Sequence, residues 1–348
     1  MVSIIIPVYN QQKHIRQCIE SCISQSFNDI EIIIIDDCSS DHSRNIINQF
    51  VAKDPRIRYF SNQQNEGVEK TRYDALFKAN GEYVIFVDSD DWLCNSDIIK
   101  ICVEIANETN VDYVEFASNH VLDNFGLIKK VSTSKISGLI NQPDLHNNYY
   151  LSFFGKSLLN TYMWGKLYRK STLLKADISP MGLNMCEDHA FNLRLFPHLK
   201  SIFIIPDVGY NYRWGGMTTK YNPYFYPNLV ELYRFRRKFL DTYPHPEATD
   251  YLKIELKNVF LSQIEMMILH RTKSKHDILG WISEQLESDL FSDILQFDNS
   301  GFKRLLNEPD LTAIRNSDAD TLLGIGLSRA RKNKLKLRLK QFISILFN

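Results

Sequence analysis

The sequence predicts an α/β protein: a doubly wound, mostly parallel sheet followed by a helical C-terminal region. Three observations carry this. Short apolar runs alternate with segments of helical period through about residue 117. Each run ends in a polar cluster. From about Pro227 onward the pattern is helical, with no further strand. Strand–helix units in series predict parallel pairing and right-handed crossovers. The polar clusters should then converge on one sheet edge, where such sheets bind ligands.

In order, Val2–Val8 is an apolar strand, stopped by Pro7 and the turn Tyr9-Asn10. Residues 12–26 carry Ile15, Cys18, Ile19, Cys22 and Ile23 as a helical stripe. Ile30–Ile35 is a second buried strand. The string from Asp36 to Asp41 offers several N-caps for a helix through about residue 53. Ile57–Phe60 is a short strand, and Asn65-Glu66-Gly67 opens a helix to about Asn80. Gly81 introduces the strand Tyr83–Val87, which ends in Asp88, Asp90 and Asp91. A helix over about 95–108 and a strand at Asp112–Ala117 follow. A hairpin over 119–138 should turn at Asp123-Asn124-Phe125-Gly126. Residues 143–159 read as an aromatic-rich helix, and 163–169 as a short apolar and basic stretch. Cys186-Glu187-Asp188-His189 opens another helix after the loop 180–185. The strand Ile202–Ile205 leads into a polar aromatic segment, 209–214. The expected division is 1–226, in halves 1–117 and 118–226, and a helical 227–348.

Composition narrows the class. The 348 residues are 44% apolar and 24% charged, ordinary for a globular chain with a sizeable core. Net charge is +0, so no overall field recruits nucleic acid. The six cysteines include no CxxC pair and no His at zinc spacing. Met1 leads directly into a strand and no apolar run reaches the length of a membrane span, so a cytoplasmic location is expected. Residues 329–340 hold seven basic side chains and no acid, and an apolar run follows at 342–347. A basic, apolar-ended terminal helix suits adsorption to an anionic membrane at the inner face of the cell membrane. Docking on its own protein or on a partner subunit is the other reading, and a dimer through the helical region is left open.

The chemistry centres on residues 81–93. Three carboxylates within four residues repel one another unless a cation is near, and Mg²⁺ or Mn²⁺ is commonly shared between carboxylates and substrate phosphates. The plain alternative is an acidic turn capping the next helix.

Four stretches together carry a resemblance: VSIIIPVYN at 2–10, IIIIDDCSSD at 32–41, NEGVEKTRYDAL at 65–76 and YVIFVDSDDWL at 83–93. In this order they resemble glycosyltransferase family 2, the inverting nucleotide-sugar transferases of GT-A fold, in its bacterial surface-polysaccharide type. Cys38 stands where the usual motif has Gly. The resemblance implies a UDP-sugar donor, with Asp37 accepting the uracil imide N–H and Pro7, Val8 and Tyr9 lining the base pocket. It puts Arg72 and Arg213 near the nucleotide or diphosphate, Asp88-Ser89 against the nucleotide-sugar, and Asp90 on Mn²⁺ or Mg²⁺. It makes Asp188 the catalytic base, with Glu187 in support. Trp164 and Lys166, in a segment resembling WNKLY, are acceptor candidates. Residues 209–222 contain no His to complete a metal shell, and Gly215, Gly216, Thr218 and Thr219 suggest a mobile lid. The implied acceptor is a lipid-linked or oligosaccharide hydroxyl. One rival, a nucleotidyltransferase, expects a Gly-rich phosphate loop where Pro7–Gln12 has no glycine. The other is a non-catalytic glycan-binding or scaffold protein on the same fold.

Overall fold

The computed structural model describes the chain except residues 123–125, 132–135, 157, 214–221, 296–307 and 347–348. At 122, 126–131, 293–295, 308 and 335–346 it describes the backbone alone. The chain divides into two compact units, Met1–Lys220 and Tyr221–Asn348.

The first unit opens with β1 (Val2–Val8), α1 (Ile15–Ile23), β2 (Ile30–Asp36), α2 (Ser43–Val51), β3 (Ile57–Ser61), α3 (Val68–Lys78) and β4 (Tyr83–Phe86). Then come β5 (Trp92–Leu93), α4 (Ile98–Thr109), β6 (Tyr113–Leu122), β7 (Gly126–Val131), β8 (Gly138–Asn141) and α5 (Asp144–Tyr149). It closes with β9 (Lys166–Arg169), α6 (Lys170–Leu173), α7 (Glu187–Leu195) and β10 (Ser201–Arg213). Among the described residues the strands form one sheet in the order β3-β2-β1-β4-β9-β6-β10-β5, with β7 on β6 and β8 on β10.

Every residue of β1 and β2 is buried, as expected of strands covered on both faces. β1 pairs in parallel with β2 and β4, and β2 with β3. Gly81 is fixed by proximity: a Cβ there would lie 2.7 Å from the backbone nitrogen of Ser3. This half is the parallel sheet that the sequence predicts. Beyond β4 the sheet is mixed, with β10 parallel to β6. β9 lies antiparallel to both β4 and β6. It spans only four residues, too few for periodicity to reveal, and it follows a loop rather than a crossover helix.

β10 departs further from expectation. The segment read as a short strand and a polar aromatic stretch is one strand of 13 residues. Its register against β6 shifts between Ile204 and Val208, around Pro206, so pairing resumes beyond a residue that cannot donate to the ladder. Gly209 admits α4 closely, since a Cβ there would meet Ile98 Cγ1 at 2.3 Å. The aromatic-rich helix expected over 143–159 is α5 followed by a 3-10 turn at Tyr150–Phe154. The hairpin β6/β7 forms, and residues 123–125 of its turn lie outside the described residues.

The second unit is helical: α8 (Phe225–Thr242), α9 (Ala248–Leu269), α10 (Lys275–Leu286), α11 (Asp289–Leu295), α12 (Glu308–Arg315) and α13 (Ala319–Leu346). Phe260 at its centre is fully buried, between Trp281 at 5.6 Å and Phe291 at 4.7 Å between ring centroids. Its buried charges are paired: Arg236 with Glu255 at 2.7 Å, and Lys257 with Asp310 at 3.5 Å. α13 packs on α9, its Leu322 and Leu323 are buried, and Arg329 reaches Glu265 at 3.1 Å. The start of the basic tail is therefore docked on its own unit. Among the described residues no helix is long and apolar enough to cross a membrane.

Candidate active site

The carboxyl ends of β1, β2 and β4 meet at one edge. The backbone N–H of Asp37 donates to the Val8 carbonyl at 2.7 Å. The Ser39 hydroxyl accepts from Asn10 N–H and the Ser43 hydroxyl from Gln11 N–H. Pro7 and Val8 are buried beneath this seam. Tyr9 stands out from it, 50% exposed, with a ring free to stack. Asp37 is buried and already holds three donors: Asn62 Nδ2 and the N–H groups of Glu66 and Gly67, each at 2.8 Å. It fixes the start of α3, a role the sequence did not suggest. Its Oδ2 accepts one of the two hydrogen bonds its lone pairs allow.

The turn after β4 sorts its three aspartates into three environments. Asp91 is buried and structural. It accepts from the Tyr210 hydroxyl at 2.9 Å and from Arg213 N–H at 2.7 Å, which locks β10 to the turn. Asp88 Oδ1 takes Arg72 Nη2 at 2.5 Å, and its N–H donates to the Tyr210 hydroxyl at 3.1 Å. Ser89 is buried between them, 6% exposed. No side chain among the described residues hydrogen-bonds the Asp90 carboxylate. Burial and the neighbouring Asp88 push its pKa up to about 6. Arg213 Nε donates to the Asp90 carbonyl at 2.7 Å, Nη2 to Gln17 at 2.9 Å, and the guanidinium sits 4.8 Å over the Trp92 ring.

Among the described residues no group of three or more His, Cys, Asp or Glu is set to hold a metal ion by itself. An unpartnered carboxylate whose ionisation is disfavoured by a second one gains from a nearby cation. This donor set fits a hard divalent cation that takes one or two carboxylates and completes its shell with phosphate oxygens and water. The lid expected at Gly215–Thr219 lies outside the described residues.

α7 brings in the second acidic pair. Cys186 precedes it in the left-handed region at φ 66°. Arg72, only 5% exposed, joins the two pairs through one guanidinium. Nη1 reaches Glu187 Oε1 at 2.8 Å and Asp188 Oδ1 at 3.4 Å, while Nη2 holds Asp88. Charged donors and acceptors of this kind make the stronger hydrogen bonds. Burial, then the charge of Glu187, raise the Asp188 pKa to about 8 despite Arg72. The Asp188 carboxyl therefore titrates nearer neutral pH than a free aspartate. Its side chain is 20% exposed, so a substrate hydroxyl can reach it.

The acceptor expectations for Trp164 and Lys166 are corrected by burial. Trp164 is 3% exposed. Its ring stacks on Tyr162 at 4.5 Å, on Tyr210 at 4.8 Å and on Tyr212 at 5.5 Å. Tyr210 and Tyr212 lie two apart on β10 and so share one side of the strand. Lys166 is fully buried. Its ammonium donates to the carbonyls of Asn160 at 2.8 Å and Tyr162 at 2.6 Å, with Glu115 at 3.9 Å. Burial lowers its pKa to about 8. Lys166 pins the 160–162 loop from inside, and Trp164 is the middle of a stack.

The sheet, the aspartate turn that ends β4 and the acidic helix tied back to it belong to a GT-A-like fold. The solved structure of S. aureus TarS 1-349 in complex with UDP shares the fold, with TM-score 0.65 and 22% identity over 95% of this chain and 91% of that one. Residues 3–171 match the model of glycosyl transferase family 2, so this stretch carries a domain of that family. It is 29% identical to the glycosyltransferase GlyA of Streptococcus pneumoniae over 61% of its own length and 30% of the relative's. It is 28% identical to the putative glycosyltransferase EpsH of Bacillus subtilis over 69% of each chain. The chain thus spans under a third of GlyA and about two thirds of EpsH.

Proposed function

We propose that this chain transfers a hexose or N-acetylhexosamine from a UDP-sugar to a hydroxyl of a surface glycan, inverting the anomeric centre. One observation carries the reading: a single buried guanidinium, Arg72, holds both Asp88 of the aspartate turn and Asp188 of α7. A group suited to the phosphate side of a donor is thereby fixed beside a group suited to take a proton. In the reaction, the acceptor oxygen bonds to the anomeric carbon as Asp188 removes its proton. The bond from that carbon to the phosphate oxygen breaks, and the electron pair leaves on UDP. Glu187 and Arg72 keep Asp188 oriented. Tyr9 offers a ring for the uracil, and the open lone pair on Asp37 Oδ2 an acceptor for its imide N–H. Asp90, with Asp88 near it, would hold Mn²⁺ or Mg²⁺, which when bound neutralises the diphosphate and favours its departure. The UDP complex of the fold relative supports the choice of nucleotide. The acceptor would be a lipid-linked or free oligosaccharide made in the cytoplasm, at the inner face of the membrane.

The test is a panel of UDP-, GDP-, CMP- and dTDP-sugars assayed for hydrolysis with Mn²⁺ or with EDTA, beside a UDP titration. Metal-dependent release of UDP from one sugar is expected. Failure to bind UDP under either condition would favour a non-catalytic glycan-binding protein on this fold. Asp90→Ala should abolish the effect of Mn²⁺ on UDP affinity; an unchanged response would remove Asp90 from the metal site.

A further inference from the structure

The aromatic stack ends on a face that the reaction described above does not use. It starts at Tyr210, whose hydroxyl is held at the aspartate turn by Asp91. It passes through buried Trp164 and ends at Tyr162, which is 47% exposed. Tyr162 and Trp164 are nearly parallel, at 11°. One face of the Tyr162 ring is thus covered by Trp164.

The ring is held in place before any ligand arrives. Its own N–H donates to Asn160 Oδ1 at 2.8 Å, and its carbonyl accepts from the buried Lys166 ammonium at 2.6 Å. The loop is also tied to the base: Asn192 Nδ2 donates to the Thr161 carbonyl at 2.9 Å and to the Asp188 carbonyl at 2.8 Å. The charge of Asp188 is felt at the Tyr162 hydroxyl, whose pKa rises through burial and that charge. A partly exposed aromatic with a fixed backbone therefore follows directly on a residue, Thr161, that Asn192 ties to the Asp188 backbone.

We propose that the outward face of Tyr162 is the platform on which the acceptor's terminal pyranose ring docks, beside Asp188. An aromatic face is electron-rich, and the axial C–H groups of a pyranose present a complementary apolar surface. A ring already immobilised by stacking loses little freedom when the sugar arrives, so more of the contact appears as affinity. The acceptor sugar is chosen over the donor sugar because the base acts on the acceptor hydroxyl and the loop is anchored to the base. This deepens the transferase reading and rests on it.

The experiment pairs saccharide binding with kinetics. Methyl glycosides of glucose, galactose and their N-acetyl forms are titrated against the full chain with UDP and Mn²⁺ by saturation-transfer NMR, in wild type and in Tyr162→Leu, Tyr162→Ala and Tyr162→Phe. Tyr162→Leu keeps apolar bulk over Trp164, and thermal melts identify any variant that fails to fold. One glycoside is expected to bind wild type, to bind about tenfold more weakly to Tyr162→Leu and Tyr162→Ala, and to bind normally to Tyr162→Phe. Where turnover is found, the acceptor KM should rise by the same factor, with the KM and hydrolysis rate for the UDP-sugar unchanged. Unchanged glycoside binding in a folded Tyr162→Leu overturns the platform, as does no binding to wild type. A parallel rise in donor KM would give the ring to the donor sugar and overturn the acceptor assignment. Absent turnover with Tyr162-dependent glycoside binding would instead sink the transferase reading and leave a saccharide platform.

Discussion

At the residue scale, three side chains show how one environment divides labour among like groups. Asp91 is spent on structure, Asp90 has no side-chain partner among the described residues and Asp188 is lifted toward neutral pH. The lift has a thermodynamic consequence. In the unfolded chain Asp188 ionises near about pH 4. In the fold it keeps its proton up to about 8. Over that interval the folded state binds more protons, so this group's contribution to stability is lost as pH rises through it. Asp188→Asn removes the penalty. It should raise Tm by a few degrees, with an advantage over wild type that grows from about pH 4 to about pH 8. The same variant should lower the transfer rate by roughly 10²–10⁴-fold while leaving UDP affinity within about threefold. A parallel loss of UDP binding would refute the base assignment. Arg72 is the opposite case, a cation buried against Asp88 and Glu187, with the Asp188 carboxyl at 3.4 Å. Arg72→Gln should cost about 3–5 kcal/mol in urea denaturation at neutral pH, because the carboxylates lose their counter-charge. Arg72→Lys should recover only part of this, lacking the planar fork that spans two acidic pairs.

At the element scale, β9 and β10 build the site. β9 brings Lys166 into the core, and β10 brings Tyr210 and Arg213 to the aspartate turn. Neither was fully legible. The pattern of β1 to β4 is apolar because helices cover both faces, and that reads directly from sequence. β9 is short, and its basic residues masked its burial: a lysine at an apolar position normally signals surface. Its ammonium is satisfied by carbonyls six and four residues earlier, at Asn160 and Tyr162. Such a partner set is invisible until the loop closes over it. Lys166→Met should therefore act mainly on stability. Leaving Glu115 buried without its counter-charge should cost about 3 kcal/mol or more. Acceptor KM should follow only as far as the 160–162 loop loosens. A large KM change in a variant of unchanged Tm would restore Lys166 to acceptor binding.

At the scale of the whole molecule, the chain joins an α/β unit to a helical one, with the basic helix in the second. The first turns of α13 are committed to that unit through Leu322, Leu323 and Arg329. Two truncations separate docking from adsorption. Removing residues 335–348 should weaken binding to anionic liposomes while leaving Tm within a degree or two. Removing 329–348 should also lower Tm, since Glu265 then loses its partner. Equal liposome binding by wild type and both truncations would leave α13 a purely structural helix.

The sequence by itself determined the parallel half of the sheet, the aspartate turn at its edge, the acidic helix start at Glu187-Asp188 and the helical second unit. These follow from local rules: apolar runs make buried strands, helical stripes make helices, and like charges crowd only for a reason. Tertiary structure alone decided which carboxylate is paired, and with what. Asp88 and Asp188 are separated by a hundred residues, and both are defined by a hydrogen bond to Arg72. The aromatic stack was equally hidden, because stacking depends on rings that β9 and β10 bring together from distant segments. Patterns along the chain report burial and period. Partners across it are set only when loops close, and the chemistry of a buried charge belongs to its partners.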